Sequence, residues 1–395
     1  MSDTRPPHLI WVTPNDLRTT LDAATFLDTA DEMRKLGWQV SLLCGVSSGT
    51  TQVRGIDVVP IPSPNIYFFG QHIFHQRALR FIKRQKPPAD VVLFHQVSGL
   101  WMLSLHLWRR LRRRSHPLIV LDTRSVYMPD KSTRQQIKGV LRETYYHLIN
   151  WAANRWADGQ TAITAHIAQS IPIPPDKLWG CWPSGVTPAR FTSSAAQRQW
   201  PNPSETIKLI YIGSTHYERN LLTLAEAVCQ TNQNATQFHL TIIGDGAQQE
   251  ELKAFAREHP KDLTVHDPIP HEEIPHRLAQ AHVGALPFPD EEKFRVSSPI
   301  KLFEYMAAGL PVMATRIVCH TDVMADADYA FYANGADVPA LTACLKNIAR
   351  HTRDLPALGQ QAMQAADQWS WAAAARKLDK ALKQGLASAE SRKND

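Results

Sequence analysis

Short apolar runs alternate with amphipathic helical stretches from one end of this chain to the other. Residues 8–13 read as a strand. Residues 21–36 read as a helix, with Ala23, Leu27, Ala30, Met33 and Leu36 at three- and four-residue steps and Gly37 closing it. Residues 39–43, 58–61, 91–94 and 118–121 are the next strands, and residues 101–113 and 136–156 are helical. Apolar strands separated by helices predict parallel sheets covered on both faces. The pattern weakens over residues 191–206, where Ser, Ala, Gln, Asn and Pro dominate. It restarts at 208–212, with strands at 240–243, 263–265, 283–287 and 311–314. The expected fold is α/β, with two doubly wound domains over residues 1–200 and 205–370. A length of 395 residues suits two domains.

Charge divides along the same line. Residues 1–200 carry 24 basic and 13 acidic side chains, and residues 201–395 carry 19 and 24. Residues 71–120 hold 10 basic side chains against one acidic. Two domains with different partners are implied. The start of the chain lacks the basic-then-apolar pattern of a secretory signal, and no stretch reaches 18 uninterrupted apolar residues. Five scattered cysteines suggest no disulfide framework. A cytoplasmic address follows as an expectation.

Four segments carry candidate chemistry. Residues 297–312 read as a helix between a loop and a strand, with Ser298 as N-cap, Pro299 at the first helical position and Gly309 at the C-terminal turn. Leu302, Tyr305 and Met306 can face the core, while Lys301 and Glu304, three apart, share the opposite face. The helix N-terminus favours an anion. A diphosphate there would leave a ribose within reach of Glu304, about five residues or roughly 7.5 Å further along the axis. The alternative is a capped helix with a surface Lys–Glu pair. Residues 209–220 read as a strand ending at Gly213 and a helix starting near Glu218. That places Arg219 in a first turn, where the dipole disfavours a cation unless an anion or a carboxylate such as Glu218 accompanies it. Gly244-Asp245-Gly246 follows the strand at 240–243, but Gln249 replaces the last glycine of a dinucleotide fingerprint, so the glycines more simply allow a tight turn or a close ligand. His95 stands at a strand's C-terminal end, where open α/β sheets bind ligands. It could contact a sugar hydroxyl or a phosphate, or be structural, and Asp122 and Arg124 occupy the equivalent place on the next strand.

Other signatures are excluded. His271 and His276 have four residues between them, including a proline, which is the wrong spacing for a zinc protease helix. There is no Cys-x2-Cys pair, Walker A loop or Gly-x-Ser-x-Gly elbow. Nothing in the sequence asks for a metal or cofactor. Two basic clusters remain, Arg77–Lys86 and Arg109–Arg114, adjoined by Ile66-Tyr67-Phe68-Phe69, Phe74, Trp101 and Trp108. They fit anionic lipid headgroups; nucleic acid fits the charge alone, and a solvated basic face needs no partner.

Together these segments resemble the family-4 glycosyltransferases, strongly over residues 205–375 and more weakly over 1–200. The matching pieces are Tyr211-Ile212-Gly213 with Glu218-Arg219-Asn220, Gly244-Asp245-Gly246, His271-Glu272-Glu273-Ile274 before residues 281–288, and residues 298–312. Trp369-Ser370-Trp371 looks like the start of a closing helix, over 371–386, that returns to the first domain. The resemblance implies the glycosyltransferase-B architecture, two Rossmann-like domains facing each other across a cleft. It implies retaining transfer of a sugar from a nucleotide-sugar, a co-substrate, to a saccharide or lipid-linked acceptor, with no metal. By position Glu304 would bind the donor ribose, Arg219 the diphosphate, and Gly213 and Gly244 would line the nucleotide. His95 would lie near the reacting sugar, with Lys301 and Ser298 added at the helix end. On the acceptor or membrane side the candidates are Arg18, Arg109, Arg110, Arg112 and Arg113. An anionic membrane surface would dock through residues 66–114, and nucleic acid is not an expected partner. Three positions depart from the pattern: Val296 replaces a glutamate, Ser214 an arginine, and Pro14-Asn15-Asp16-Leu17-Arg18 a Gly-Gly turn. An epimerase on the same architecture, or a non-catalytic nucleotide-sugar binder, is the alternative.

Overall fold

The computed structural model describes residues 5–20, 22–47, 49–64, 67–125, 137–233 and 237–394. The chain divides into two units, residues 1–185 with 371–395, and residues 186–370. The first unit therefore ends fifteen residues before the expected position 200. The reason is Arg198. Its buried guanidinium donates to the carbonyls of Leu278, Ala281, Ala308 and Gly309, which fixes the supposed linker to the second unit.

In the first unit the strands are β1 (His8–Val12), β2 (Gln39–Cys44), the short antiparallel pair β3 (Gln52–Val53) and β4 (Ile56–Asp57), β5 (Val59–Pro60), β6 (Val91–His95), β7 (Leu118–Thr123), β8 (Gly159–Ala162) and β9 (Leu178–Cys181). All but the antiparallel pair form one parallel sheet in the order β5-β2-β1-β6-β7-β8-β9. The helices Tyr67–Arg84, Met102–Leu111 and Ile137–Trp156 share one apolar core on it, around Ile10, Val92 and Ile119. The helices Ala23–Lys35 and Trp371–Asn394 pack together, joined by the Trp38 indole, which donates to Asp379 at 2.7 Å.

The second unit contains β10 (Ile207–Ile212), β11 (Phe238–Ile243), β12 (Leu263–His266), β13 (Val283–Leu286), β14 (Val312–Thr315) and β15 (Ala330–Ala333). They pair in parallel in the order β12-β11-β10-β13-β14-β15. That is the doubly wound order in which the winding reverses between the first and fourth strands, so the crevice for a ligand opens beyond the C-terminal ends of β10 and β13. In the first unit the same reversal falls between β1 and β6.

Candidate functional site

The turn after β10 and the turn after β11 meet face to face. A Cβ on Gly244 would land on the Gly213 carbonyl, so this position admits only glycine. Gly213 has φ +141°, and a Cβ there would lie 2.8 Å from the Lys301 ammonium. Both glycines therefore bring backbone close to one small space. Around it the Ser214 and Thr215 hydroxyl oxygens, the Gln248 amide oxygen and the Arg219 Nε are buried with no hydrogen-bond partner. Buried polar atoms are ordinarily satisfied, so four orphans at one sheet edge suit a polar ligand.

The Ile300–Ala307 helix carries Lys301 and Glu304 to this edge. Its start differs from the sequence expectation. Pro299, not Ser298, is the cap residue, and Pro299 makes no side-chain capping bond. Pro299 is extended, with ψ 109°, so the helix begins one residue later. The C-terminus closes through Gly309 at φ +66°, with Leu310 N donating to Tyr305 O and Gly309 N to Met306 O, the paired bonds of a Schellman motif. Tyr305 anchors the helix to the sheet: its ring packs where a Cβ on Gly284 would sit, and its hydroxyl accepts from Ile212 N at 3.0 Å.

Lys301 lies 5.0 Å from the Tyr211 ring and 5.6 Å from the Phe288 ring, with its ammonium 3.5 Å from the Tyr211 hydroxyl. Burial, then the nearby Arg219 charge, pushes the ammonium down to about 7, with Glu304 acting in the opposite direction. Glu304 does not pair with Lys301 among the described residues. Its carboxylate lies 3.5 Å from His271 Nε2. His271 was visible in sequence only as part of a matching segment, because its proximity to Glu304 is purely tertiary.

Arg219 also differs in placement. It ends a short 3-10 turn, Tyr217–Arg219, and the helix begins only at Leu221. Between them Asn220 is left-handed at φ 60° and donates to the carbonyls of Pro287 and Ala336. This clamp breaks the helix, so Arg219 does not stand in a first helical turn and the dipole does not act on it as the sequence suggests. Its guanidinium lies 5.2 Å from both Phe288 and Phe294, which stack at 4.8 Å. No carboxylate pairs with it among the described residues. Arg219 and Lys301 thus share the Phe288 ring, and Lys301 lies against Gly213. Val296 is buried in the core. The loop before it is engaged internally, Asp290 with Arg295 and Glu291 with Lys293.

The other candidates belong to the first unit. His95 ends β6 and is 7% exposed, its ring edge-on to Phe26 at 5.5 Å and its Nδ1 buried without a partner. Burial pushes it down to about 4, so it is neutral near pH 7. Asp122 and Arg124 are structural: Asp122 accepts from Thr161 and the Trp182 indole, and Arg124 lies 3.8 Å over the Trp182 ring. Arg18 is held by Asp16, at 2.9 and 2.5 Å, on the wall of a cavity of about 660 Å³ also lined by Gly45, Ser47 and Phe74. Arg109 faces inward. It pairs with Asp158 at 2.5 and 2.9 Å and caps the Pro117 carbonyl, so it is corrected from a membrane-facing residue to a structural one. Arg110, Arg112 and Arg113 are exposed. Beside them Leu111 is 84% exposed, and the neighbouring Ile137–Trp156 helix presents Leu141 at 65%, Leu148 at 47% and Trp151 at 58%. Ile66 and the side chains of Tyr67 and Phe68 lie outside the described residues.

Residues 206–351 match the family model described as "Glycosyl transferases group 1". No curated protein matches the chain by sequence. Sucrose-phosphate synthase from Thermosynechococcus elongatus has the same fold, with a TM-score of 0.75 at 15% identity over 97% of this chain and 100% of that one. A glycosyltransferase from Rickettsia africae gives 0.70 at 14%, over 96% and 99%. Anabaena HepE, in complex with UDP-glucose, gives 0.68 at 12%, over 97% and 100%. The architecture is that of the glycosyltransferase-B fold. Among the described residues no helix is long and apolar enough to cross a membrane.

Proposed function

We propose that this protein is a retaining, hexose-transferring glycosyltransferase that moves a sugar from a nucleotide-sugar to an acceptor hydroxyl in cell-surface polysaccharide or glycolipid assembly. The observation that supports it best is the pair Arg219 and Lys301, neither matched by a carboxylate among the described residues, over Phe288 at the reversal point of the second doubly wound sheet. As the bond from the sugar carbon to the diphosphate breaks, charge grows on the leaving oxygen. Arg219, Lys301 and the N–H groups of the Ile300–Ala307 helix would stabilise that charge, so the reading draws on no metal or cofactor. Glu304 would take the ribose hydroxyls. The acceptor oxygen attacks from the face the diphosphate leaves, and its proton passes to the departing phosphate. His95 and the cavity beside Arg18 would serve the acceptor. The exposed Arg110, Arg112 and Arg113, with Leu111, Leu148 and Trp151, would dock the first unit on an anionic bilayer from the cytoplasmic side.

The test is acceptor-dependent release of nucleoside diphosphate across a panel of nucleotide-sugars. Arg219→Ala should lower kcat about 100–1,000-fold, and Glu304→Ala should lower turnover strongly, with melting temperatures preserved. Wild-type turnover in both variants would sink the assignment.

A further inference from the structure

Cys229, His259 and Asp262 are scattered in sequence, yet the fold brings one donor atom from each within 4.8 Å of the others. They stand at the N-terminal edge of the second sheet, opposite the edge that carries Gly213, Gly244 and Lys301. Cys229 lies in the last turn of the Leu221–Asn232 helix, His259 closes the Gln249–Glu258 helix, and Asp262 directly precedes β12. All three are half-buried.

The surroundings hold the donors in place. Asp262 N donates to the His259 carbonyl at 3.0 Å, which fixes the turn between them. The Asn232 amide donates to Asp262 Oδ1 at 2.6 Å and to the Phe238 carbonyl at 2.8 Å. Its own oxygen accepts from the backbone of Gln237 and Phe238. Asn232 therefore orients the carboxylate as an outer-shell group orients a metal ligand.

A thiolate, an imidazole and a carboxylate form a donor set that suits zinc. Tetrahedral zinc, with bonds of ~2.0–2.3 Å, sets its donor atoms roughly 3.3–3.8 Å apart. Side-chain movements of about 1 Å would bring this cluster to that spacing. We propose that Cys229, His259 and Asp262 bind a zinc ion, with water in the fourth position, tying the end of one helix to the edge of the sheet. On binding, the S–H bond of Cys229 breaks, the Zn–S bond forms, and the proton leaves to solvent. The ion would brace the second unit, remote from the proposed donor edge.

The full-length protein, stripped with a chelator, is titrated with Co²⁺ as a spectroscopic probe and melted with and without Zn²⁺. Saturation is expected at about one equivalent of Co²⁺, with a thiolate-to-cobalt band and the visible bands of a tetrahedral site. Cys229→Ser should abolish the thiolate band. His259→Ala and Asp262→Asn should weaken binding at least ~tenfold, and they carry the comparison if Cys229→Ser does not fold. Excess Zn²⁺ should raise the melting temperature of the wild type but not of the variants. A wild type without the thiolate band, a band that survives in Cys229→Ser, or an equal melting shift in the variants would overturn the proposal. These readouts do not depend on sugar transfer.

Discussion

Lys301 sets the pH response of the proposed donor site. With its ammonium pushed down to about 7, roughly half the molecules carry a neutral amine at that pH. A bound diphosphate restores the charged form, so binding takes up a proton above pH 7. Affinity for a nucleoside diphosphate should fall as pH rises from about 7 to about 9, by up to ~tenfold per unit. Lys301→Met should bind more weakly and lose most of that slope. Calorimetry in buffers of different ionisation enthalpy measures the uptake directly, and a wild type with no proton uptake would contradict the scheme. Stability has its own sign. The folded-state value lies below the unfolded one, so the unfolded chain holds more protons between about 7 and 10.5 and stability rises with pH through that window. Lys301→Met should therefore gain most over wild type below pH 7 and lose the advantage towards pH 10. At this scale the sequence was informative wherever a side chain acts through its own element, as with Tyr305, which the helical spacing turns to the core. It was misleading where a charge is answered from far along the chain. Arg109 sits in a basic run, and Asp158, which directly precedes β8, turns it inward together with the Pro117 carbonyl.

Elements were legible in proportion to their apolar period. The runs that became β1, β6 and β7 are largely apolar and wholly buried, and those that became β10 and β11 bury four residues of six. β8 is as buried as any, yet it reads Gly-Gln-Thr-Ala and gives no apolar run. Its burial depends on long-range partners: Trp179 packs where a Cβ on Gly159 would lie, and the Gln160 amide donates to Asn154. The break before the Leu221–Asn232 helix was equally hidden, since it rests on Asn220 reaching Pro287 and Ala336. The same dependence on distant partners makes the Ile300–Ala307 helix testable. Tyr305→Phe removes the acceptor for Ile212 N and leaves a buried amide unsatisfied. Urea unfolding should show a loss of about 1–3 kcal/mol, with donor affinity weakened because the helix loses its hold on the Gly213 turn. Arg198→Met should cost more, about 2–4 kcal/mol, since four backbone carbonyls lose their donor at once. An unchanged midpoint in both variants would mean that neither anchor positions the helix.

At the scale of the whole molecule the charge asymmetry sharpens once the returning helix is assigned. Residues 1–185 with 371–395 hold 28 basic and 16 acidic side chains, whereas residues 186–370 hold 15 and 21. The surplus of +12 thus lies in the unit that also exposes Leu111, Leu141, Leu148 and Trp151. The ends of the two helices that carry these residues are joined by Arg109 with Asp158, which brings arginines and apolar side chains onto neighbouring surface. On the proposed docking to a bilayer, apolar contact and anion attraction would act together. Each surface arginine contributes about 1 kcal/mol near anionic lipid, so reversing Arg110, Arg112 and Arg113 to Glu should weaken binding at least ~100-fold. Co-sedimentation with vesicles of phosphatidylglycerol and phosphatidylcholine provides the measurement. Binding should fall steeply as salt is raised from about 0.05 to about 0.5 M, because screening shortens the reach of the charges. Trp151→Ala should lower binding at every salt concentration while leaving the slope unchanged, since it removes area and no charge. Equal partitioning onto pure phosphatidylcholine vesicles, or none onto the anionic ones, would remove the membrane from the picture and leave the basic surface to a soluble anionic acceptor.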